Sequence, residues 1–126
     1  WGYAAEMILK AAYFDLTLSS PDKAISIKHL NEALKEAGSL DIDIPKKEKL
    51  HNLEVWAELL VLYRAKLPEK HSYKDSTFGE TLLQHAQQIY RHWRVILRYR
   101  KVVAEKSEAE QVQQSIQWFI EQTSKI

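Results

Sequence analysis

The stretch from Asn52 to Pro68 reads NLEVWAELLVLYRAKLP and predicts a helix whose two ends are both marked. Asn52 is a preferred N-cap residue, because its side-chain oxygen accepts hydrogen bonds from the free amides of a first helical turn. Pro68 lacks an amide hydrogen and stops a helix. Apolar side chains recur between them at helical spacing, at Leu53, Trp56, Ala57, Leu60 and Tyr63. We therefore expect a helix over about 53–66 with a buried face.

Two helices are predicted before this one. The segment 2–18 is apolar around most of its circumference, which is typical of a helix in the centre of a core. Ser20 and Pro21 have the features of an N-cap and a first-turn proline, and Gly38 those of a C-terminal stop. These signals predict a second helix over roughly 21–37.

Two more helices are predicted after it. Thr77 is followed three residues later by Glu80, which is the spacing of a capping box, and predicts the start of the longest helix, over about 78–103. The same spacing recurs at Ser107 and predicts a last helix over about 108–123.

Composition supports a single helical domain over residues 1–126. Glycine and proline number only three each, and they stand where helices are expected to start or stop. A chain of 126 residues buries roughly two-thirds of its unfolded surface, so it forms one core without disulfide or metal support. The absence of cysteine excludes a disulfide framework, a thiolate nucleophile and cysteine-ligated zinc.

Charge and hydropathy give limited information about the partners and cellular location of the protein. The formal net charge of +1 does not indicate a protein that coats DNA. No window holds eighteen consecutive apolar residues and the chain has no basic signal-peptide start, so we expect no membrane association and a cytoplasmic location. The absence of cysteine is itself compatible with either redox environment. The chain opens at Trp1 inside a helical pattern without a cap, which suggests that preceding sequence is missing.

The predicted fourth helix carries a basic stripe. At 100° per residue, four basic side chains fall opposite its apolar sector, namely Arg91, Arg94, Arg98 and Lys101. No acidic residue stands between Glu80 and Glu105. The basic stripe is suited to binding phosphate or an acidic partner. The alternative is a solvated helix face whose side-chain stems cover apolar surface.

A metal or cofactor site is not expected. His85 and His92 share an edge of the fourth helix, but seven residues separate them, about 10 Å along the axis, which is too far for one ion. We expect them to be partly exposed polar residues at a boundary between helices. The sequence has neither a glycine-rich phosphate loop nor a nucleophile elbow.

One pair of residues has catalytic potential. Arg64 ends the predicted third helix, His71 follows in the loop, and Tyr73 lies two residues further on. A cation that holds phosphate beside a histidine that transfers a proton is the minimum for metal-independent RNA cleavage by the ribose 2′-hydroxyl. We therefore consider Arg64 and His71 as candidate catalytic residues.

Three segments resemble, in this order, the landmarks of bacterial and archaeal HEPN-domain proteins. They are AEMILKA at 5–11, LHNL at 50–53, and Trp93 followed by Arg98 and Tyr99. The resemblance implies an all-α fold, an up-and-down bundle of four to five helices that commonly dimerises, with a further helix usually preceding the first segment. The alternative is that the landmarks are architectural, with Glu6 and Lys10 a hydrated pair at a helix edge.

HEPN families include ribonuclease toxins with an Arg-x4–6-His motif, and members without the motif that act as binding modules. The resemblance matches Arg64 and His71 to this motif. It implies a homodimer that binds RNA or a nucleotide phosphate in a toxin–antitoxin or defence system, with Tyr73 and the basic stripe as phosphate-binding residues. The alternative is a non-catalytic module that binds a nucleotidyltransferase, an antitoxin or its own second copy through its apolar first helix. Three aromatic residues are candidate anchors for such contacts: Trp1, Tyr3 and Trp118.

Overall fold

The computed structural model describes residues 2–18, 24–46, 49–68, 73, 76–92 and 105–126. In these ranges the chain forms five helices: α1 (Gly2–Thr17), α2 (Ile27–Ser39), α3 (Leu53–Lys66), α4 (Ser76–His92) and α5 (Lys106–Glu121). No described residue lies in a strand, and the predicted all-α helical bundle is confirmed. The predicted continuation of the fourth helix over 93–103 lies outside the described residues. None of the described helices is long and apolar enough to cross a membrane.

Four of the helices surround one core. Helix α1 packs against α3 and α5, α4 packs against the same two helices from the other side, and α2 lies against α3. The largest side chains that are fully buried come mainly from α1, α3, α4 and α5, and include Leu9, Trp56, Leu60, Leu82, Ile89 and Phe119. The core therefore lies mainly along the axis of a four-helix arrangement, and α2 adds three buried side chains at its side, Ala33, Leu34 and Ala37.

Side-chain contacts give the helix directions. His51, just before α3, contacts Glu6 in α1, and Tyr13 and Tyr63 meet near the other ends of the same helices, so α1 and α3 run in the same direction. A side chain placed at Gly79 near the start of α4 would lie 3.3 Å from Val61 Cγ1 near the end of α3, so these two helices are antiparallel.

The last two helices are also antiparallel. His85 contacts Ser115, whereas Gln88, one turn later in α4, contacts Gln111, one turn earlier in α5. Helices α1, α3 and α5 therefore run together and α4 runs against them. We call the end where α1, α3 and α5 begin and α4 finishes the His51 end, and the other the Arg64 end.

Helix α3 confirms the prediction for 53–66. The Asn52 side-chain oxygen accepts hydrogen bonds from the amides of Glu54 (2.9 Å) and Val55 (3.3 Å). Asn52 is also buried, with only 1% of its surface exposed. The helix ends at Lys66, just before Leu67 and Pro68.

The predicted ends of the second helix are wrong. Residues 24–26 are not helical, and α2 starts at Ile27 after Ser26, whose amide donates to His29 Nδ1 (3.0 Å). Ser20 and Pro21 lie outside the described residues. Gly38 lies inside the helix, which continues to Ser39.

A different residue terminates α2. Asp41 has a φ of 59°, the left-handed conformation that aspartate accepts more readily than most residues. Its amide donates to Gly38 (3.2 Å), and the amide of the buried Ile42 donates to Ala37 (3.1 Å). These two bonds satisfy carbonyl groups that the helix end leaves without partners.

The starts of the last two helices also differ from prediction. Helix α4 begins at Ser76, so Thr77 lies within its first turn and is not the N-cap. Helix α5 begins at Lys106 after Glu105, whose amide donates to Glu108 Oε2 (3.1 Å). The capping interaction lies two residues before the one predicted at Ser107, because acidic residues give the same three-residue spacing twice.

Candidate functional site

Arg64 links three segments at the Arg64 end of the bundle. Its Nη2 donates a hydrogen bond to the main-chain oxygen of Ile126, a buried residue that follows α5. The Arg64 Cζ lies 4.7 Å from the centre of the Tyr73 ring, in a cation–π contact. The structure therefore brings together two of the predicted site residues, Arg64 and Tyr73.

Tyr73 is packed between the ends of α3 and α4. Its ring centre lies 4.9 Å from that of Phe78. Its hydroxyl oxygen is buried and has no hydrogen-bond partner among the described residues. Burial raises the pKa of Tyr73, although the Arg64 cation opposes the rise. The phenol is thus a neutral hydrogen-bonding group beside a guanidinium.

The remaining predicted site residues are not brought to Arg64. Arg91 is exposed in the last turn of α4, fifteen residues after Ser76, which is about 22 Å along the helix axis. Arg91 therefore lies towards the His51 end. His71 and the other members of the basic stripe, Arg94, Arg98 and Lys101, lie outside the described residues.

A charged cluster of Glu6, Lys10 and His51 lies between α1 and α3, and we call it the Glu6 cluster. Lys10 Nζ and His51 Nδ1 both contact Glu6 Oε1, at 2.5 Å and 3.0 Å. Glu6 and Lys10 are only 6% and 8% exposed. The expectation of a hydrated pair at a helix edge is therefore wrong, because both side chains are buried and His51, from the turn before α3, contacts Glu6.

Aromatic and main-chain contacts hold the Glu6 cluster in place. Lys10 Nζ lies 5.1 Å from the centre of the Trp56 ring. Trp56 Nε1 in turn donates to the carbonyl oxygen of Leu50 (3.1 Å), the residue just before His51. The contacts form a closed loop from His51 through Glu6, Lys10 and Trp56 back to the chain beside His51.

Sequence reasoning missed this cluster although a signal was present. On a helical wheel Glu6 lies in the same sector as Ala5, Leu9 and Tyr13, which are among the buried residues of α1. A charged residue in an apolar sector needs a partner, because an unpaired buried charge is costly. The partner histidine lies 45 residues away in sequence, so helical periodicity did not identify it.

His85 and His92 lie at the boundary between α4 and α5, which confirms their predicted position. His85 Nδ1 is 3.1 Å from Ser115 Oγ, and its ring stacks on Trp118 with 4.5 Å between centres. Burial lowers the pKa of His85. His92 Nδ1 is 3.7 Å from Glu108. Across the described ranges, no group of three or more histidine, aspartate or glutamate side chains is arranged to hold a metal ion.

One face of α1 is apolar and directed outward, and we call it the outer face of α1. It consists of Tyr3, Ala4, Met7, Ile8 and Ala11. Tyr3 is 45% and Met7 61% exposed, so the prediction that the helix lies centrally in the core holds for only one of its sides. Trp118 packs against His85, Phe78 and Phe119 and so contributes to the core. Trp1 lies outside the described residues.

No family model, curated protein or solved structure matches this chain.

Proposed function

We propose that this chain is a HEPN-like helical domain that forms a homodimer through the outer face of α1. The supporting observation is the exposed apolar surface around Met7. The two charged residues within this stretch of α1, Glu6 and Lys10, are buried and paired with each other, so they add no charge to the face. Burying this surface against a second copy is favoured by about 25 cal/mol for each Å² of apolar area removed from water.

The order of residues on the outer face suits a second copy of the same chain. A two-fold dimer brings the same patch together twice, so residue i meets residue j and residue j meets residue i. If two antiparallel α1 helices cross at Met7, Tyr3 of each copy lies opposite Ala11 of the other, since each is four residues from Met7. A large side chain then meets a small one on both sides of the axis, which favours close packing.

The substitution Met7→Glu tests this dimer. It places two carboxylates at the two-fold axis, so we expect sedimentation equilibrium to show a dimer for the wild type and a monomer for the variant. The matched control is Ile27→Glu, because Ile27 is an apolar residue of a different helix, α2, and is similarly exposed (65%). A dimer that survives Met7→Glu contradicts the proposal. A monomeric wild type also contradicts it, and favours a different protein partner such as an antitoxin or a nucleotidyltransferase.

A second candidate function is binding of RNA or a nucleotide phosphate through the basic stripe. It is supported by Arg91, which is exposed at the end of α4. The sequence continues with Arg94, Arg98 and Lys101 before the next acidic residue. Basic residues that contact phosphates release counterions, so binding of this kind weakens steeply with salt.

A mobility-shift titration of a single-stranded RNA at several salt concentrations tests the second candidate. We expect Arg91→Ala to weaken binding and to reduce the slope of log K against log salt by about 1. Lys28→Ala is the matched control, because the side chain of Lys28 is 80% exposed on α2. Binding that does not depend on salt, or that Arg91→Ala leaves unchanged, contradicts a role for the stripe.

A catalytic sub-case is ribonuclease activity at Arg64 and His71, as expected of a toxin in a toxin–antitoxin or defence system, and it is separate from binding at Arg91 because Arg64 lies at the other end of the bundle. Arg64 would stabilise negative charge on the phosphate and His71 would act as general acid or base, without a metal. We expect RNA cleavage in EDTA that His71→Ala abolishes while the helical circular dichroism is unchanged. Cleavage that persists in this variant contradicts the assignment.

A further inference from the structure

An open groove runs along the exposed side of α5, beside α4, and we call it the α5 groove. Its volume is about 610 Å³, which is in the size range of small-molecule sites. The rings of His85 in α4 and Trp118 in α5 line it, and they stack with 4.5 Å between their centres. Neither the outer face of α1 nor the basic stripe includes any residue of this groove. The other lining residues are polar and all belong to α5: Glu110, Gln113, Gln114, Gln117 and Glu121.

The five polar residues form a stripe because their spacing follows the helical repeat. At 100° per residue, Glu121 comes back to within about 20° of Glu110 after three turns, so both carboxylates lie on the same side of α5. At 1.5 Å per residue they are about 16 Å apart along the axis. The three glutamines fall between them, each within about 60° of Glu110. The α5 groove therefore has a carboxylate at each end and amide groups between.

The charge of the α5 groove favours a cationic ligand. Its two carboxylates only accept hydrogen bonds, and burial lowers the pKa of His85, so at neutral pH this ring adds no positive charge. Lys106 lies 3.7 Å from Glu110, but its side chain is 91% exposed, and an ion pair this exposed contributes little. Gln117 donates through its amide nitrogen to Glu121 (2.8 Å), which leaves its amide oxygen as the group that can accept from a ligand. A ligand that is positively charged and rich in N–H donors therefore matches the groove.

We propose that the α5 groove binds a linear polyamine of the length of spermine, with its end nitrogens paired to Glu110 and Glu121. Thirteen bonds separate the end nitrogens of spermine, and an extended chain advances about 1.2 Å per bond, so the molecule spans roughly the distance between the two carboxylates. Its two inner nitrogens lie opposite the glutamines, whose amide oxygens accept hydrogen bonds from them. Its methylene groups cover the rings of His85 and Trp118, as the stems of long charged side chains cover apolar surface.

The separation of the carboxylates selects the length of the ligand. A metal ion contacts its oxygen ligands at about 2–2.6 Å, so Glu110 and Glu121 cannot hold one ion together. A short diamine reaches one carboxylate at a time, whereas a polyamine of matching length pairs with both. Simultaneous pairing makes the second contact intramolecular, which strengthens binding beyond what either carboxylate gives alone. Discrimination by length is therefore the property that distinguishes this site from an acidic surface.

An NMR titration of the full chain with spermine at low salt tests the site. We expect the side-chain amide signals of Gln113, Gln114 and Gln117 to shift together and to saturate. The side-chain amide of Asn31, exposed on α2, is the internal control and is expected not to shift. Equal shifts at Asn31 and at the groove, or no shift at millimolar spermine, overturn the proposal.

Removing one carboxylate at a time gives a quantitative test. We expect Glu110→Gln and Glu121→Gln each to weaken spermine binding roughly two- to fivefold, the usual weight of an exposed ion pair. Glu32→Gln is the matched control, because Glu32 also pairs with a lysine one turn earlier and its side chain is 56% exposed, against 58% for Glu110. We expect this control to leave binding unchanged. A loss in Glu32→Gln as large as in Glu110→Gln reveals attraction to the whole surface and overturns the proposal.

Two diamines of equal charge test whether the ligand bridges the carboxylates. The terminal diamine of dodecane has the same separation of end nitrogens as spermine, and that of butane less than half of it. We expect the wild type to prefer the longer diamine and Glu121→Gln to lose most of that preference, because one end then has no carboxylate. The extra apolar contact of the longer chain is the same in both proteins and cancels in the comparison. A wild type without the preference, or a preference that Glu121→Gln leaves unchanged, overturns the proposal.

Discussion

Asp41 ends α2 through its left-handed backbone conformation. This conformation has a free-energy cost that arises at the residue itself. It is the only described non-glycine residue with a positive φ, at 59°, and it is exposed. Left-handed φ values cost most residues about 1–2 kcal/mol because Cβ approaches a carbonyl oxygen, and glycine avoids this contact. The chain places its glycine three residues earlier, at Gly38, where the backbone is helical.

At the residue scale we therefore predict that Asp41→Gly stabilises the protein. The free energy of unfolding is expected to rise by about 0.5–1 kcal/mol in urea denaturation, and Asp41→Val is expected to lower it by about 1 kcal/mol or more. A loss of stability in Asp41→Gly would instead show that the aspartate side chain contributes more than its conformation costs.

At the scale of the element, the capping signals in the sequence predicted the start of α3 correctly but not the start of α5. Asn52 is the one strong capping residue before an apolar repeat, and a cap acts over three residues, so sequence alone identified it. Before α5, Glu105 with Glu108 and Ser107 with Glu110 share one spacing, and spacing does not choose between them. The predicted start of α2 was too early, since a serine and a proline upstream match the sequence pattern of a cap while residues 24–26 are not helical.

Replacing Asn52 tests how much the N-cap of α3 contributes to stability. We predict that Asn52→Ala lowers the free energy of unfolding by about 1–2 kcal/mol, because two first-turn amides lose their acceptor in a buried position. Asn52→Asp keeps a side-chain acceptor and is expected to lose less. Equal losses in the two variants in urea denaturation would rule out capping as the cause.

The boundary between α4 and α5 gives a prediction about pH. Burial lowers the pKa of His85, so the unfolded chain, in which the pKa is ordinary, binds the proton more readily. Stability from this residue is complete above the ordinary pKa of 6.5 and is lost as pH falls below it. We expect His85→Gln to show a smaller decrease in melting temperature between neutral and mildly acid pH, and an identical decrease would contradict this assignment.

At the scale of the whole molecule, the helical bundle followed from sequence and the Glu6 cluster did not. Periodicity and breakers predicted the helices, because these signals act within one segment. Which side of α1 is buried depends on how α1 packs against α3, which periodicity does not predict. The contact between Glu6 and His51 joins residues 45 apart in sequence, so it is likewise absent from any one segment. The outer face of α1 and the separation of Arg64 from Arg91 likewise became visible only with the helices packed.

The contacts of the Glu6 cluster predict that substitutions of Lys10 and Glu6 have non-additive effects on the free energy of unfolding. Lys10→Met leaves the buried Glu6 with only His51, so we expect the free energy of unfolding to fall by about 3 kcal/mol. Adding Glu6→Gln removes the unmatched charge and is expected to restore part of the loss. A double-mutant cycle in urea measures the coupling, and additive losses would contradict a shared network.

The parallel course of α1, α3 and α5 also polarises the bundle along its length. Each helix has a macrodipole equivalent to roughly half an elementary charge, positive where the helix begins. Of the four helices around the core, three begin at the His51 end and α4 finishes there, so within this set the unbalanced dipoles of two helices add up to about one positive charge at that end. The backbone of these four helices thus contributes positive charge at the same end as Arg91, and the acidic residues Glu54, Glu105 and Glu108 stand at the starts of α3 and α5, where the dipoles favour negative charge.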